Sequence, residues 1–326
     1  MKRIGISIGD INGIGPEITL KAVNRIGGSS GVRFVVIGSE TIVREQAAAL
    51  NIPVSPEIEF VDVAAKAKWV PGEVCVDASL LAEQAIRCAV SKCLSGELDA
   101  LVTAPICKEG FHRAGIHVPG HTELLAELTG TKNFGMMLLG GGLRVMLVTR
   151  HIPISQVSSA LNQENICEAI ELAGQALELF GLSNGTIGVC GLNPHAGDGG
   201  VIGREEIELI TPAIRAARER GFNVSDAVPA DTIFYEALKG KFDAVVAMYH
   251  DQGLGPLKMI GFDEGINVTL GLPIIRTSPD HGTAFGISGE NEASSKSMEN
   301  AIALAIQMAG KPNPWKYNWQ NNFEAE

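Results

Sequence analysis

Short apolar runs alternate along the chain with stretches in which apolar residues recur every third or fourth position. Ile4–Ile8, Phe34–Ile37, Leu101–Val102, Val145–Val148, Ile187–Cys190 and Ala244–Met248 are short, mostly β-branched and apolar. Such runs predict strands buried on both faces. Helices are predicted between them. Pro16 occupies the favoured first-turn position of one that runs through Ile18, Leu20 and Val23, and Leu80–Cys93 and Glu164–Phe180 are two more. After Gly203, Ile207, Ile210 and Ile214 share a face that Arg204, Glu208 and Arg215 avoid. Gly140–Gly142 divides Met136–Leu139 from Leu143–Val148 and predicts a hairpin, an antiparallel element where a second subdomain or a dimer arm could begin. Strand–helix alternation of this kind makes an α/β fold around a largely parallel sheet.

Composition narrows the function. The 326 residues are 45% hydrophobic and 19% charged, enough for a large core and too apolar for disorder. With 37 acidic against 26 basic side chains the net charge is −11, which argues against a nucleic-acid surface. A small anionic substrate stays open, because a few local cations override the global field. The six cysteines form no CxxC pair and lie mostly in apolar runs, as reduced thiols in a reducing compartment do. The opening MKRIGISIGD is too short for a signal peptide and no apolar run reaches membrane-spanning length, so a cytoplasmic protein is expected.

Three histidines follow predicted strands almost at once: His151, His195 and His250. Ligands of open α/β sheets sit beyond the carboxyl ends of the strands, so three loops would aim imidazoles at one cleft. Three imidazoles suit a divalent ion with open positions; three unrelated loop histidines are the alternative. His195 lies in the glycine-rich Asn193–Gly200, a loop that looks flexible enough to need a ligand to order it. Asp251 follows His250 directly and could orient it. His121, in Pro119-Gly120-His121-Thr122-Glu123, stands at a predicted helix start, where backbone N–H groups favour an anion. Simple capping by Thr122 is the plainer reading there. His112 and His117 carry no such context and read as surface or packing residues. Lys258, Asn267 and Arg276 fall in one otherwise neutral stretch and would suit a phosphate and a carboxylate, or a solvated face. Gly9–Glu17 and Ser278–Gly286 are polar glycine-containing loops, and neither is the GxGxxG fingerprint of a conventional dinucleotide site. His281 could stack on a cofactor or hydrogen-bond to it.

Taken in order, Gly9–Glu17, Thr103-Ala104-Pro105 with Lys108, Gly120–Glu123, Asn193–Gly200, Pro229–Thr232, Tyr249–Gly253 and Asp280–Ala284 resemble the 4-hydroxythreonine-4-phosphate dehydrogenase family of vitamin B6 biosynthesis. The resemblance implies a fold like the isocitrate and isopropylmalate dehydrogenases, with two α/β/α subdomains and a cleft between them. Residues 1–117 with 272–326 would form the cofactor side, and 118–271 the metal, substrate and dimerisation side. A homodimer would share its sites between chains. Position by position, His151, His195 and His250 match the family's metal ligands, for one zinc, cobalt or magnesium ion. His121, Thr122, Lys258, Asn267 and Arg276 match substrate-binding positions, and NAD, or NADP, would lie near His281, Gly282 and Thr283. Cys107 departs from the asparagine that the family often carries before the lysine of the Thr-Ala-Pro motif.

The reaction implied is the oxidation and decarboxylation of 4-phosphooxy-L-threonine to 3-amino-2-oxopropyl phosphate. Asp231, Asp251 and Lys108 are the candidates for general base. Two alternatives remain at this point: the same chemistry on D-threonate or D-erythronate 4-phosphate, and a three-histidine zinc hydrolase that needs no nicotinamide.

Overall fold

The computed structural model describes residues 1–27 and 31–316. The chain forms two compact units, Met1–Lys132 with Leu272–Glu326, and Asn133–Gly271. The first begins with β1 (Lys2–Ser7), α1 (Gly15–Ile26), β2 (Val32–Gly38), α2 (Glu40–Ala49) and β3 (Ile58–Asp62). It continues through α3 (Val76–Leu94), β4 (Ala100–Thr103), α4 (Lys108–Arg113) and α5 (His121–Leu128). The second holds β5 (Gly135–Gly140), β6 (Leu143–Leu147), α6 (Val157–Ala160), α7 (Gln163–Phe180), β7 (Ile187–Cys190) and α8 (Thr211–Glu219). It ends with β8 (Val224–Val228), α9 (Ala230–Leu238), β9 (Ala244–Ala247), α10 (His250–Gly261) and β10 (Ile266–Leu270). The chain then returns to the first unit as β11 (Arg276–Pro279) and α11 (Lys296–Met308). The α5 segment therefore groups with the first unit, whereas the sequence placed the change of unit at residue 117; α5 packs on α3 before β5 begins.

In the first unit the strand order is β3-β2-β1-β4-β11, all parallel. In the second it is β10-β5-β6-β9-β7-β8, where β5 pairs antiparallel with both β10 and β6 and the remaining pairs are parallel. The expected hairpin is β5–β6, closed by Gly141 and Gly142 with Gly140 opposite Leu143. The predicted strands are buried as their runs require: Ile4, Ile6, Leu101, Val102, Val245 and Val246 expose no surface. Helix ends follow local chemistry. Pro16 stands in the first turn of α1, and α7 opens on a reciprocal Asn162–Asn165 capping box and closes on Gly181 in the left-handed region.

One helical face departs from its pattern. Glu206–Ile210 winds as a π-turn before α8, so Ile210 and Ile214 are buried while Ile207 remains 45% exposed. The wider turn shifts the face by part of a residue step, and Ile207 leaves the row. All six cysteines are free, four of them buried and Cys75 and Cys88 half-buried.

The Gly9–Glu17 turn is locked to the loop after β4. The Asp10 N–H donates to the Pro105 carbonyl at 2.8 Å, and Ile14 N–H to the Thr283 carbonyl at 2.9 Å. Gly9 has φ +71, and a Cβ there would lie 2.3 Å from the Pro105 oxygen. Gly9→Ala is expected to destabilise the fold by at least about 2 kcal/mol, combining left-handed strain with a backbone clash. A denaturant midpoint equal to that of the unaltered chain would contradict this packing.

Candidate active site

In the first unit, the carboxyl ends of β4 and β11 and the start of α5 enclose a pocket of about 150 Å³. Thr103, Lys108, Gly120, His121, Ser278 and His281 are among its walls. Arg276, at the start of β11, is 2% exposed. Its Nε and Nη2 donate to Thr103 Oγ1 at 3.1 and 2.7 Å. Burial pulls the guanidinium down to about 9, with Glu123 opposing, which still leaves it charged at neutral pH. His121 is half-buried and its Nε2 has no partner in the protein. Burial first, then the charges of Arg276 and Lys108, hold its imidazole well below the ordinary 6.5. The pocket therefore sets a neutral imidazole beside two cations.

The cap of α5 is Gly120, which has no side chain to offer the first-turn N–H groups, so the helix start is not capped in the plain way. Thr122 is buried in that first turn. His281 is exposed, with Nδ1 3.1 Å from the Gly282 carbonyl, and the Thr283 carbonyl is taken by Ile14. Cys107 is buried and caps α4 by accepting from Gly110 N–H at 3.3 Å; burial raises its thiol pKa above the ordinary value. His112 and His117 form an edge-on pair 6.2 Å apart on the surface. Asp10, in the Gly9–Glu17 turn, is fully buried. Its Oδ1 accepts from Asn12 N–H at 2.9 Å, its Oδ2 has no partner, and burial pushes it up to about 6.

In the second unit, β6, β9 and β7 are adjacent parallel strands, and His151, His250 and His195 follow their carboxyl ends. The rings of His151 and His250 lie 5.5 Å apart, tilted by 46°. His250 Nδ1 is 2.6 Å from Asp251 Oδ1, a contact that orients the ring. His195 is exposed. It heads five successive residues, 195–199, in the left-handed region; three of them are not glycine, and each costs roughly 1–2 kcal/mol there. Among the described residues no three His, Cys, Asp or Glu side chains stand where they would hold one ion between them. The chain brings His151 and His250 together and does not gather His195 into a set with them. Asp231 is exposed in the first turn of α9. Lys258, on α10, has its Nζ 6.0 Å from the Phe262 ring, and Asn267, on β10, has a buried Oδ1 without a partner.

The chain matches the family described as Pyridoxal phosphate biosynthetic protein PdxA over residues 30–305. It is 40% identical to a D-threonate 4-phosphate dehydrogenase of Pectobacterium atrosepticum, over 94% of this chain and 99% of that one. It is 42% identical to a 4-hydroxythreonine-4-phosphate dehydrogenase of Geobacter metallireducens, over 94% and 95%. The crystal structure of a 4-hydroxythreonine-4-phosphate dehydrogenase from Klebsiella pneumoniae superposes with a TM-score of 0.84 at 40% identity, covering 94% of this chain and 99% of that one.

His121 should titrate below 6.5 in an NMR experiment, and Arg276→Ala should raise its midpoint by removing a like charge. The folded pKa lies below the unfolded one, so this residue's contribution to stability is intact above 6.5 and is lost as the pH falls below it. A midpoint at or above 6.5 would show that the imidazole is not sealed beside the cations.

Proposed function

This chain belongs to the PdxA family and is an oxidoreductase, and from that premise we propose that it oxidises a phosphorylated four-carbon hydroxy acid, 4-phosphooxy-L-threonine, with NAD as hydride acceptor. The observation that carries the proposal is the pocket of the first unit. A lysine and a neutral imidazole with an unsatisfied nitrogen line it, and the buried guanidinium of Arg276, whose charge reaches that imidazole, adds to the cationic character in a protein of net charge −11. D-threonate or D-erythronate 4-phosphate is the second reading, favoured by a relative of nearly equal identity that carries the D-threonate name. The zinc-hydrolase alternative falls with the family. Production of 3-amino-2-oxopropyl phosphate for pyridoxal phosphate synthesis, in the cytoplasm, is the role that fits this substrate. No helix among the described residues is long and apolar enough to cross a membrane.

In the reaction, Arg276 and Lys108 would hold the anionic groups, with Lys258 and Asn267 as further polar contacts. Thr122 and the uncapped N–H groups of α5 would serve the phosphate, and His121 would hydrogen-bond to it without adding charge. His281, Gly282 and Thr283 would lie against the cofactor. His151 and His250 fit a divalent cation as far as one chain goes, being two near imidazoles, one of them oriented by Asp251; His195 would join them. When bound, that ion supplies acidity at the substrate hydroxyl and favours the ketone. The hydride of the carbinol carbon would pass to NAD, and the hydroxyl proton would go to Asp231; Lys108, the other candidate, would instead be the cation that holds the anionic groups. Asp251 serves better as the partner of His250, since its carboxylate is already committed there. The β-keto acid so formed loses CO2, and a proton replaces it on carbon.

A second copy would cover an apolar surface of the second unit. Tyr235, Met259 and Phe262 are 65%, 83% and 77% exposed. Ile260 and Leu238 beside them approach the β5–β6 turn at Gly141 and Gly142. A patch of this make-up on a soluble enzyme supports a homodimer.

NADH formation should appear with a phosphorylated hydroxy acid and vanish with chelator. Removing the phosphate should cost roughly two to four powers of ten in kcat/KM, the loss of two charge-assisted contacts. Turnover of 4-phosphooxy-L-threonine against D-threonate 4-phosphate separates the two readings, and equal efficiency on phosphorylated and unphosphorylated acids refutes both. Phe262→Asp with Met259→Asp should shift the sedimentation of the chain from dimer to monomer; a monomeric unaltered chain would refute the assembly.

A further inference from the structure

A loop whose residues sit in an unfavourable backbone region holds that shape only if its surroundings impose it. The 195–199 turn is of this kind: His195, Ala196 and Asp198 have φ of 53°, 53° and 44°. Its backbone bonds include Ala196 N–H to the Asn193 carbonyl at 3.1 Å, Val201 N–H to the Asp198 carbonyl at 3.3 Å and Ile202 N–H to the Gly197 carbonyl at 3.1 Å. A hold from outside the turn comes from two carboxylates at the start of the π-turn. Glu206, 5% exposed, accepts Asn193 N–H on Oε1 at 2.8 Å and Asn193 Nδ2 on Oε2 at 2.9 Å. Glu205 Oε2 accepts the same Nδ2 at 2.7 Å, while its Oε1 accepts from Ser158 Oγ at 2.7 Å. Gly203, at φ +117, wraps the Asn193 amide so closely that a Cβ would lie 2.4 Å from Nδ2. The residue two before His195 is thus gripped through backbone and side chain, from a different element.

We propose that Asn193 and Glu206 are positioning residues that build the His195 turn before any ligand arrives, so that the imidazole is presented in a fixed direction. The glycine-rich loop is then not ordered by the metal; it is the mount on which a ligand of the metal stands. The proposal rests on the reading of His195 as a metal-binding residue. A mount of this kind acts on affinity, because a flexible loop would lose conformational freedom on each binding event.

The test uses cobalt(II), titrated into the full chain and followed by calorimetry and by the visible absorption of the bound ion. Glu206→Gln keeps the shape of the side chain and sets an amide against the Asn193 amide. Asn193→Ala removes only the side-chain bonds and carries the test if the first variant folds poorly. Each should weaken cobalt binding by about 10- to 100-fold, the range for groups that orient metal ligands. In a His195→Ala background, Glu206→Gln should weaken binding no further, since the clamp acts only through His195. Amide hydrogen exchange, measured without metal, should speed up across residues 195–202 in both variants. Unchanged exchange together with unchanged cobalt affinity overturns the clamp. If His195→Ala binds cobalt as tightly as the unaltered chain, the metal assignment falls instead, and the metal-free exchange result alone still decides whether Asn193 and Glu206 hold the turn.

Discussion

A guanidinium taken out of water must have its N–H groups satisfied where it stands, and Arg276 is such a group. Its position is fixed by the ladder that pairs β11 with β4, because Thr103, at the end of β4, is the acceptor for two of its N–H groups. The rest of the first unit's chemistry follows from that placement. Burial first, and then this fixed positive charge, keep the neighbouring imidazole of His121 neutral, and a neutral imidazole with an unsatisfied nitrogen is a hydrogen-bonding group without charge of its own. Lys108 adds the second cation from the start of α4. An acidic protein thus reserves a cationic recess at the ends of two parallel strands, where open α/β sheets generally take their ligands.

The second unit solves a different problem, that of holding imidazoles at set angles. His250 is oriented by its sequence neighbour Asp251, through a 2.6 Å contact to Nδ1. His195 is oriented from a distance, by the carboxylates of Glu205 and Glu206, 12 and 13 residues beyond the Asn193 on which they act. The first device is local and needs no particular fold. The second needs the π-turn to bring Glu205 and Glu206 back against the loop, a placement π-turns often have near functional sites.

Much of the fold was legible in the sequence because buried parallel strands write themselves as uninterrupted apolar runs. Leu101–Val102 and Ala244–Met248 are read in this way, and so is the β5–β6 hairpin with its glycines. The π-turn was not legible: Ile207, Ile210 and Ile214 have perfect helical spacing, and the extra residue in the turn is set by tertiary contacts. The glycine-rich Asn193–Gly200 looked flexible for the same reason. Glycine content reports what a backbone is allowed to do, while the grip on Asn193 comes from residues that the motif does not contain. That His151, His195 and His250 follow the carboxyl ends of strands was legible from their order in the chain, whereas the approach of His151 to His250 alone was not. The buried, protonation-prone Asp10 was not, since its surroundings come from a loop about ninety residues away.

The second unit is continuous in the chain, from Asn133 to Gly271, while the first is built from both ends. Arg276 and Thr103 meet across 173 residues. During synthesis on a ribosome, the inserted unit can therefore collapse on its own as soon as it emerges. The N-terminal strands must wait, with one side of β4 open, until β11 leaves the exit tunnel. Closing so large a loop is slow and leaves an exposed strand edge in the meantime. The cationic recess therefore comes into being only after β11 has been made and Arg276 can meet Thr103.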